Sequence, residues 1–215
     1  MFAADFESGD LSEWRNAQAI SERATVVEDD APQGLHAGRF EVRAGDEEPE
    51  TGSQRAEVVS GLEFDEGDVR YFRILARIES WDDDRWGMIW QIHDDSDGTP
   101  PLSLQEVDES SRTLWLGPGD GNDAYWETEL PAEDEWFEVV VRVEFGESGS
   151  VRVWLNGEEE EMANGEKVVE DVDTLGEPEA YDKLGVYRSS SAGETAVVFY
   201  DDYRVTGELF SDPPG

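Results

Sequence analysis

Cysteine is absent from the 215-residue chain, which excludes disulfides, thiolate metal sites and a cysteine nucleophile together. Lysine is nearly absent as well: Lys167 and Lys183 stand beside fourteen arginines. Histidine occurs twice, at His36 and His93. Long apolar runs are missing, and no stretch approaches the roughly 20 apolar residues of a membrane-spanning helix. The start, Met1-Phe2-Ala3-Ala4-Asp5, has no basic region followed by an apolar run. A signal peptide removed ahead of Met1 would place the protein outside the cell.

Positive charge is the scarcest commodity. Asp and Glu number 54 against 16 Lys and Arg, a formal net charge of -38. Nucleic acids and anionic membranes draw their affinity from phosphates neutralised by Lys and Arg, so neither is an expected partner. An anionic ligand has to find a local basic island. The acids are spread along the whole chain, and such self-repulsion is tolerable where salt shortens the Debye length. The composition therefore reads as that of a protein adapted to a salt-rich environment, against the plainer reading of an ordinary acidic protein.

What is present suffices for a core. Hydrophobic residues make up 37%, with eight Trp, nine Phe and six Tyr. Strand signals recur at short intervals between Gly- and Pro-rich breaks, and no long amphipathic helix or internal repeat is visible. Residues 69–78 alternate, with Phe72, Ile74, Ala76 and Ile78 on one side. Residues 137–145 do so more cleanly, and Asn156-Gly157 marks a hairpin turn. Ten to twelve short strands in one domain spanning 1–215 predict an all-β, two-sheet antiparallel sandwich, a β-jelly roll.

Residues 86–94, Trp-Gly-Met-Ile-Trp-Gln-Ile-His-Asp, set a two-residue alternation around one of the two histidines. As a strand they put Met88, Trp90 and Ile92 on one face and Ile89, Gln91 and His93 on the other. Two further segments repeat the pattern. Arg55 and Glu57 share a face in residues 54–58, and Tyr181, Lys183, Gly185 and Tyr187 lie opposite Leu184 and Val186. These three strands are expected in one sheet, with their polar faces pooled.

The order Asp5-Phe6-Glu7-x-Gly-Asp-Leu, Arg55-Ala56-Glu57, Trp90-Gln91-Ile92-His93, Tyr181-x-Lys183-x-Gly185-x-Tyr187-Arg188 and Tyr200-Asp201-Asp202 resembles the polysaccharide lyase family that includes glucuronan lyases and heparin lyase I. The resemblance covers nearly the whole chain. It implies a concanavalin-like jelly roll with the substrate in a cleft across one sheet, and an acid/base pair at His93 and Tyr187. It also implies β-elimination from a uronic acid, which removes a C5 proton made acidic by neutralising the neighbouring carboxylate. Arg55, Gln91 and Lys183 are the groups expected around that carboxylate, with Glu57 pairing a basic group and Arg188 adding to the island. Retention of Lys183 where lysine is replaced almost everywhere else favours a role over a solvated edge charge. The predicted partner is an anionic polysaccharide, glucuronan before alginate, bound by a monomer.

No cofactor is required on this reading. Glu7 and Asp201 are candidates for a structural calcium where first and last strands meet, although with 54 acids an accidental pairing of solvated carboxylates competes. His36 reads as an exposed loop residue, and Trp81, Trp86, Trp115 and Trp126 as core or sugar-stacking surfaces. Two rivals share the fold. A glycoside hydrolase would show Glu-x-Asp-x-x-Glu on one strand, but Glu106-Val107-Asp108-Glu109-Ser110-Ser111 lacks the last Glu. A non-catalytic carbohydrate-binding module would not need His93, Lys183 and Tyr187 together.

Overall fold

The computed structural model describes residues 1–81, 85–94, 96, 98–107, 113–176 and 179–211. Among these, every regular element is a β-strand. In chain order they are β1 (Phe2–Ala4), β2 (Asn16–Ala19), β3 (Ala24–Glu28), β4 (His36–Val42), β5 (Gln54–Val59), β6 (Val69–Ser80), β7 (Gly87–Asp94) and β8 (Leu102–Val107). The second half supplies β9 (Thr113–Gly117), β10 (Trp126–Glu129), β11 (Trp136–Glu144), β12 (Gly149–Leu155), β13 (Glu158–Glu159), β14 (Val169–Val172), β15 (Ala180–Arg188) and β16 (Ala196–Thr206).

They form two antiparallel sheets packed as a concanavalin-like jelly roll. The nine-stranded sheet runs β13-β12-β11-β6-β16-β4-β3, with β1 on β16 and β14 on β12. The seven-stranded sheet runs β10-β9-β8-β7-β15-β5-β2. The count exceeds the ten to twelve strands expected because β1, β2, β10, β13 and β14 are pieces of two to four residues. Such pieces are too short or too polar to display alternation.

The long strands pair as their patterns dictate. Val139 and Val141 of β11 lie opposite Ile74 and Phe72 of β6, and all four face the core. Phe64 stacks on Phe145 at 4.6 Å, and Phe72 meets Trp90 of the other sheet at 5.1 Å. Each such aromatic contributes about 1.5–3 kcal/mol by leaving water. Asn156 and Gly157, both at positive φ, turn β12 into β13 through a two-residue loop.

The pooled faces materialise: β7, β15 and β5 are consecutive in the seven-stranded sheet. One detail of the alternation is corrected. Ile89 is in the core and Met88 faces the cleft, because the register of β7 slips between Met88 and Trp90. A bulge inserts a residue and reverses side-chain parity beyond it.

Candidate active site

The three strands bring their side chains together by register. Tyr181 stands opposite His93, Lys183 opposite Gln91, and Tyr187 between Arg55 and Met88. Around them opens a cleft of about 540 Å³ on the face turned away from the core. Arg55, His93, Lys183, Tyr187, Trp86 and Met88 line it with Gln18 and Thr51, and Ser96, Gly98, Thr99, Pro100 and Gly119 complete the lining. The Gly119 backbone packs so close to Pro100 that an added Cβ would lie 2.7 Å from its ring.

His93 is oriented by its own strand end. Its Nδ1 lies 2.6 Å from the carbonyl oxygen of Asp94, which can only accept, so in the neutral ring Nδ1 carries the proton and Nε2 keeps the lone pair. The imidazole stacks on Tyr181 with ring centres 5.9 Å apart. Burial, followed by the positive charge of Lys183, holds its pKa below the ordinary 6.5. His93 is therefore an uncharged base at neutral pH.

Lys183 is 2% exposed. Among the described residues, no carboxylate pairs with its ammonium, which sits over the Tyr181 ring, 5.4 Å from its centre. Burial lowers its pKa, with Glu57 pulling the other way and Arg55 adding to the depression. Arg55 is held more firmly. Its Nε donates to Ser53 Oγ at 2.6 Å, Nη1 donates to Gln18 Oε1 at 3.3 Å, and Nη1 lies 3.3 Å from Glu57 Oε2. The guanidinium sits 4.2 Å over the Tyr187 ring, and Trp86 meets that ring edge-on at 5.3 Å. The phenol is thus clamped between a cation and an indole.

Gln91 and Glu57 are fully buried under the floor of the cleft. Gln91 Nε2 donates to Glu57 Oε1, so the amide expected on the ligand supports Glu57 instead. Arg188 lies away from the cleft. It shares strand parity with the core residues Leu184 and Val186, donates from Nε to Gln54 Oε1 at 3.1 Å, and ties down the Glu194 carbonyl through Nη1. Its place in the basic island is taken by no other cation of the lining.

Glu7 and Asp201 do approach a common segment. Glu7 Oε1 accepts from the amides of Leu35 and His36, and Asp201 Oδ2 from that of Gln33 at 2.7 Å. Asp201 Oδ1 is buried with no hydrogen-bond partner, and burial, with the charges of Asp202 and Glu7, pushes the carboxyl up to about 6. An orphaned buried carboxylate oxygen beside a second carboxylate fits calcium chemistry. No cluster of three or more acidic or histidine side chains converges there among the described residues. His36 opens β4, half-buried, with Nδ1 3.6 Å from Glu7.

Of the four tryptophans, Trp81, Trp115 and Trp126 are buried, whereas Trp86 is exposed at the cleft. Sequence reasoning missed Gln18 and Ser53, which anchor Arg55; short polar residues on an edge strand and in a turn carry no pattern that would mark them. It also gave Tyr181 no partner, although the register with His93 follows once the strands pair. Residues 108–111 of the weighed hydrolase string lie outside the described residues, as do Asp95 and Asp97 of the acidic 94–97 stretch, whose sequence lacks the Glu that ends a calcium-binding loop.

A cleft across one sheet of a jelly roll thus gathers an imidazole, a phenol and a buried cation. Over most of the sequence the profile described as Polysaccharide lyase matches, residues 6–204, and the chain belongs to that family. No curated protein matches the chain. Among solved structures it is similar to the endo-beta-1,4-glucuronan lyase from the fungus Trichoderma reesei, with TM-score 0.71 and 15% identity over 99% of this chain and 97% of that one. Alginate lyase AlgAT5 from polysaccharide lyase family 7 gives TM-score 0.59 and 20% identity, with 89% of this chain and 85% of that one covered. The cellulose induced protein Cip1 gives 0.67 and 14%, with 97% and 98% covered. At these identities the likeness is one of fold.

Proposed function

We propose that the protein cleaves a polyuronic acid by β-elimination, leaving a 4,5-unsaturated uronate at the new non-reducing end, with glucuronan the first candidate and alginate the next. The observation that carries this reading is Lys183, a buried ammonium that no carboxylate among the described residues pairs directly, beside a neutral histidine. A buried cation is costly unless an anion completes it, and a uronate carboxylate is such an anion. The lyase neighbours named for glucuronan and alginate share the fold and support the substrate class.

Lys183 and Arg55 take the substrate carboxylate and neutralise it, so that the charge developing on the enolate-like intermediate is stabilised where it forms. His93 Nε2 accepts the C5 proton, the freed pair becomes the C4–C5 double bond, and the C4–O4 bond breaks. Tyr187 gives its phenolic proton to O4, and the pair is reset by passing the imidazolium proton back through water. Glu57, braced by Gln91, holds Arg55 without touching substrate. A calcium ion at Glu7 and Asp201 would supply positive charge where first and last strands meet, apart from the reaction. The net charge of -38 and a polymeric substrate fit action outside the cell in salty surroundings, where screening lets an anionic chain approach.

The test is absorbance of the unsaturated product in molar salt, with glucuronan, alginate and heparin in separate cuvettes. A rise on glucuronan or alginate is expected, and His93→Ala and Tyr187→Phe should each reduce kcat by about 10³-fold. Silence on all three polymers with binding seen by titration would make the protein a carbohydrate-binding module. Full activity in either variant would remove the mechanism.

A further inference from the structure

The site depends on a defect between its two central strands. β15 and β7 stay in register from Ala180 opposite Asp94 to Leu184 opposite Trp90, after which Tyr187 pairs with Met88. Gly185 and Val186 therefore stand against Ile89 alone. In an uninterrupted ladder Tyr187 would face Gly87, so the defect brings it one residue, about 3.3 Å, nearer to His93 along the sheet. The neighbouring slip against β8 turns Met88 outward at the same level.

The opposite sheet reaches across the core to this point. Tyr200 of β16 is fully buried, its ring edge-on to Phe40 at 5.3 Å. Its hydroxyl lies 2.7 Å from the carbonyl oxygen of Ile89 and 3.0 Å from that of Gly185. One O–H is thus shared between the two strands at their interruption. The backbone there is committed to the arrangement: Gly185 has φ +135°, and a Cβ would lie 2.2 Å from the Ala56 carbonyl oxygen. Gly185 and Tyr200 both belong to the motifs that the sequence displays, yet neither touches the cleft.

We propose that Tyr200 is a positioning residue: its hydroxyl, shared between the Ile89 and Gly185 carbonyls, holds the interruption between β7 and β15 and so sets the spacing of His93 and Tyr187. The proposal rests on the lyase reading above. An ångström of misplacement between reacting groups costs about 10²-fold in rate, and a lost anchor that leaves Lys183 and Arg55 in place should spare ground-state binding.

The experiment compares Tyr200→Phe with Thr174→Val on the substrate that the wild type cleaves. Thr174 is an equally buried hydroxyl that does not line the cleft, accepting from the Gly146 amide at 3.1 Å and donating to the Glu144 carbonyl at 2.8 Å. Tyr200→Phe should lower kcat by roughly 10- to 100-fold with KM within about twofold, while Thr174→Val loses melting temperature but keeps kcat. Retention of kcat within about threefold in Tyr200→Phe, or an equal loss in Thr174→Val, would overturn the assignment. A wild type that cleaves no polyuronate would fail the lyase reading by itself. Amide exchange then decides: in Tyr200→Phe, faster exchange confined to Ile89, Trp90, Val186 and Tyr187 supports the anchor, and unchanged exchange there refutes it.

Discussion

Arg73 and Lys183 are buried alike, 1% and 2% exposed, on the outward faces of the two sheets. Their surroundings differ. Arg73 Nε donates to Glu138 Oε2 at 2.6 Å, Nη1 lies 3.2 Å from Asp202 Oδ2, and the Phe210 ring covers the guanidinium at 5.7 Å. Lys183 has an aromatic ring and, among the described residues, no carboxylate. The first cation is completed by the fold; the second, on the proposed function, by the substrate carboxylate. In a chain with so few basic residues, a buried lysine that no described carboxylate pairs, and that Glu57 offsets only from a distance, is where the proposed function puts the substrate anion.

Exchanging each cation for methionine should separate the two roles. Lys183→Met is expected to lower kcat/KM on the polyuronate by about 10²- to 10³-fold, since it removes the group facing the developing charge. It should not destabilise. Burial depresses the Lys183 pKa below 10.5 in the folded state. Between that lowered value and 10.5 the unfolded chain binds the extra proton, so wild-type stability climbs as pH rises through this window. The climb should vanish in Lys183→Met, and urea unfolding from pH 7 to 10.5 checks it. Arg73→Met removes the buried cation that Glu138 and Asp202 share, although Arg204 Nε still donates to Asp202 Oδ1 at 2.7 Å, and should cost about 3–5 kcal/mol while leaving kcat untouched. The comparison breaks if Lys183→Met unfolds at pH 7, or if Arg73→Met loses turnover without losing stability.

How much of this was readable beforehand follows from periodicity. The long strands β6 and β11 and the shared face of β5, β7 and β15 follow from alternation, which survives wherever a strand is half buried. The slip at Ile89 did not, because a bulge leaves no trace in a string of apolar residues and inverts which of Met88 and Ile89 faces the cleft. Arg188 misled for a related reason: one step along a strand turns a side chain to the other face, where Gln54 and the Glu194 carbonyl hold it. Gln91 shares the face of His93, yet its amide is spent on Glu57, a contact that only the neighbouring strand's register reveals.

Titration of the histidine sharpens the comparison further. Burial and Lys183 keep His93 neutral below the usual 6.5, so the acid limb of kcat/KM should lie under that value in the wild type. Removing the ammonium in Lys183→Met takes away the second cause and leaves the first. The limb should therefore move toward higher pH, measured on the residual activity of the variant. A limb that stays put would mean that Lys183 and His93 do not sense each other in the cleft.

Asp201 is the mirror image of Lys183 and gives the smallest expected effect. It too is fully buried, and one oxygen is satisfied by the Gln33 amide while Oδ1 has no hydrogen-bond partner. Here the missing complement is a cation, either a proton, which the raised pKa of about 6 already favours, or calcium shared with Glu7. A calcium ion at 100 times its dissociation constant would add about 2.7 kcal/mol, or roughly 5–10 °C in a chain of this size. Melting in millimolar calcium against chelator at pH 7.5 should show that rise, and Asp201→Asn should abolish it by removing the charge that calls for the ion. Identical melting in calcium and chelator would leave the proton as the complement of Asp201. Lys183 would then be the one buried charge of the pair that the fold holds open for a partner from outside.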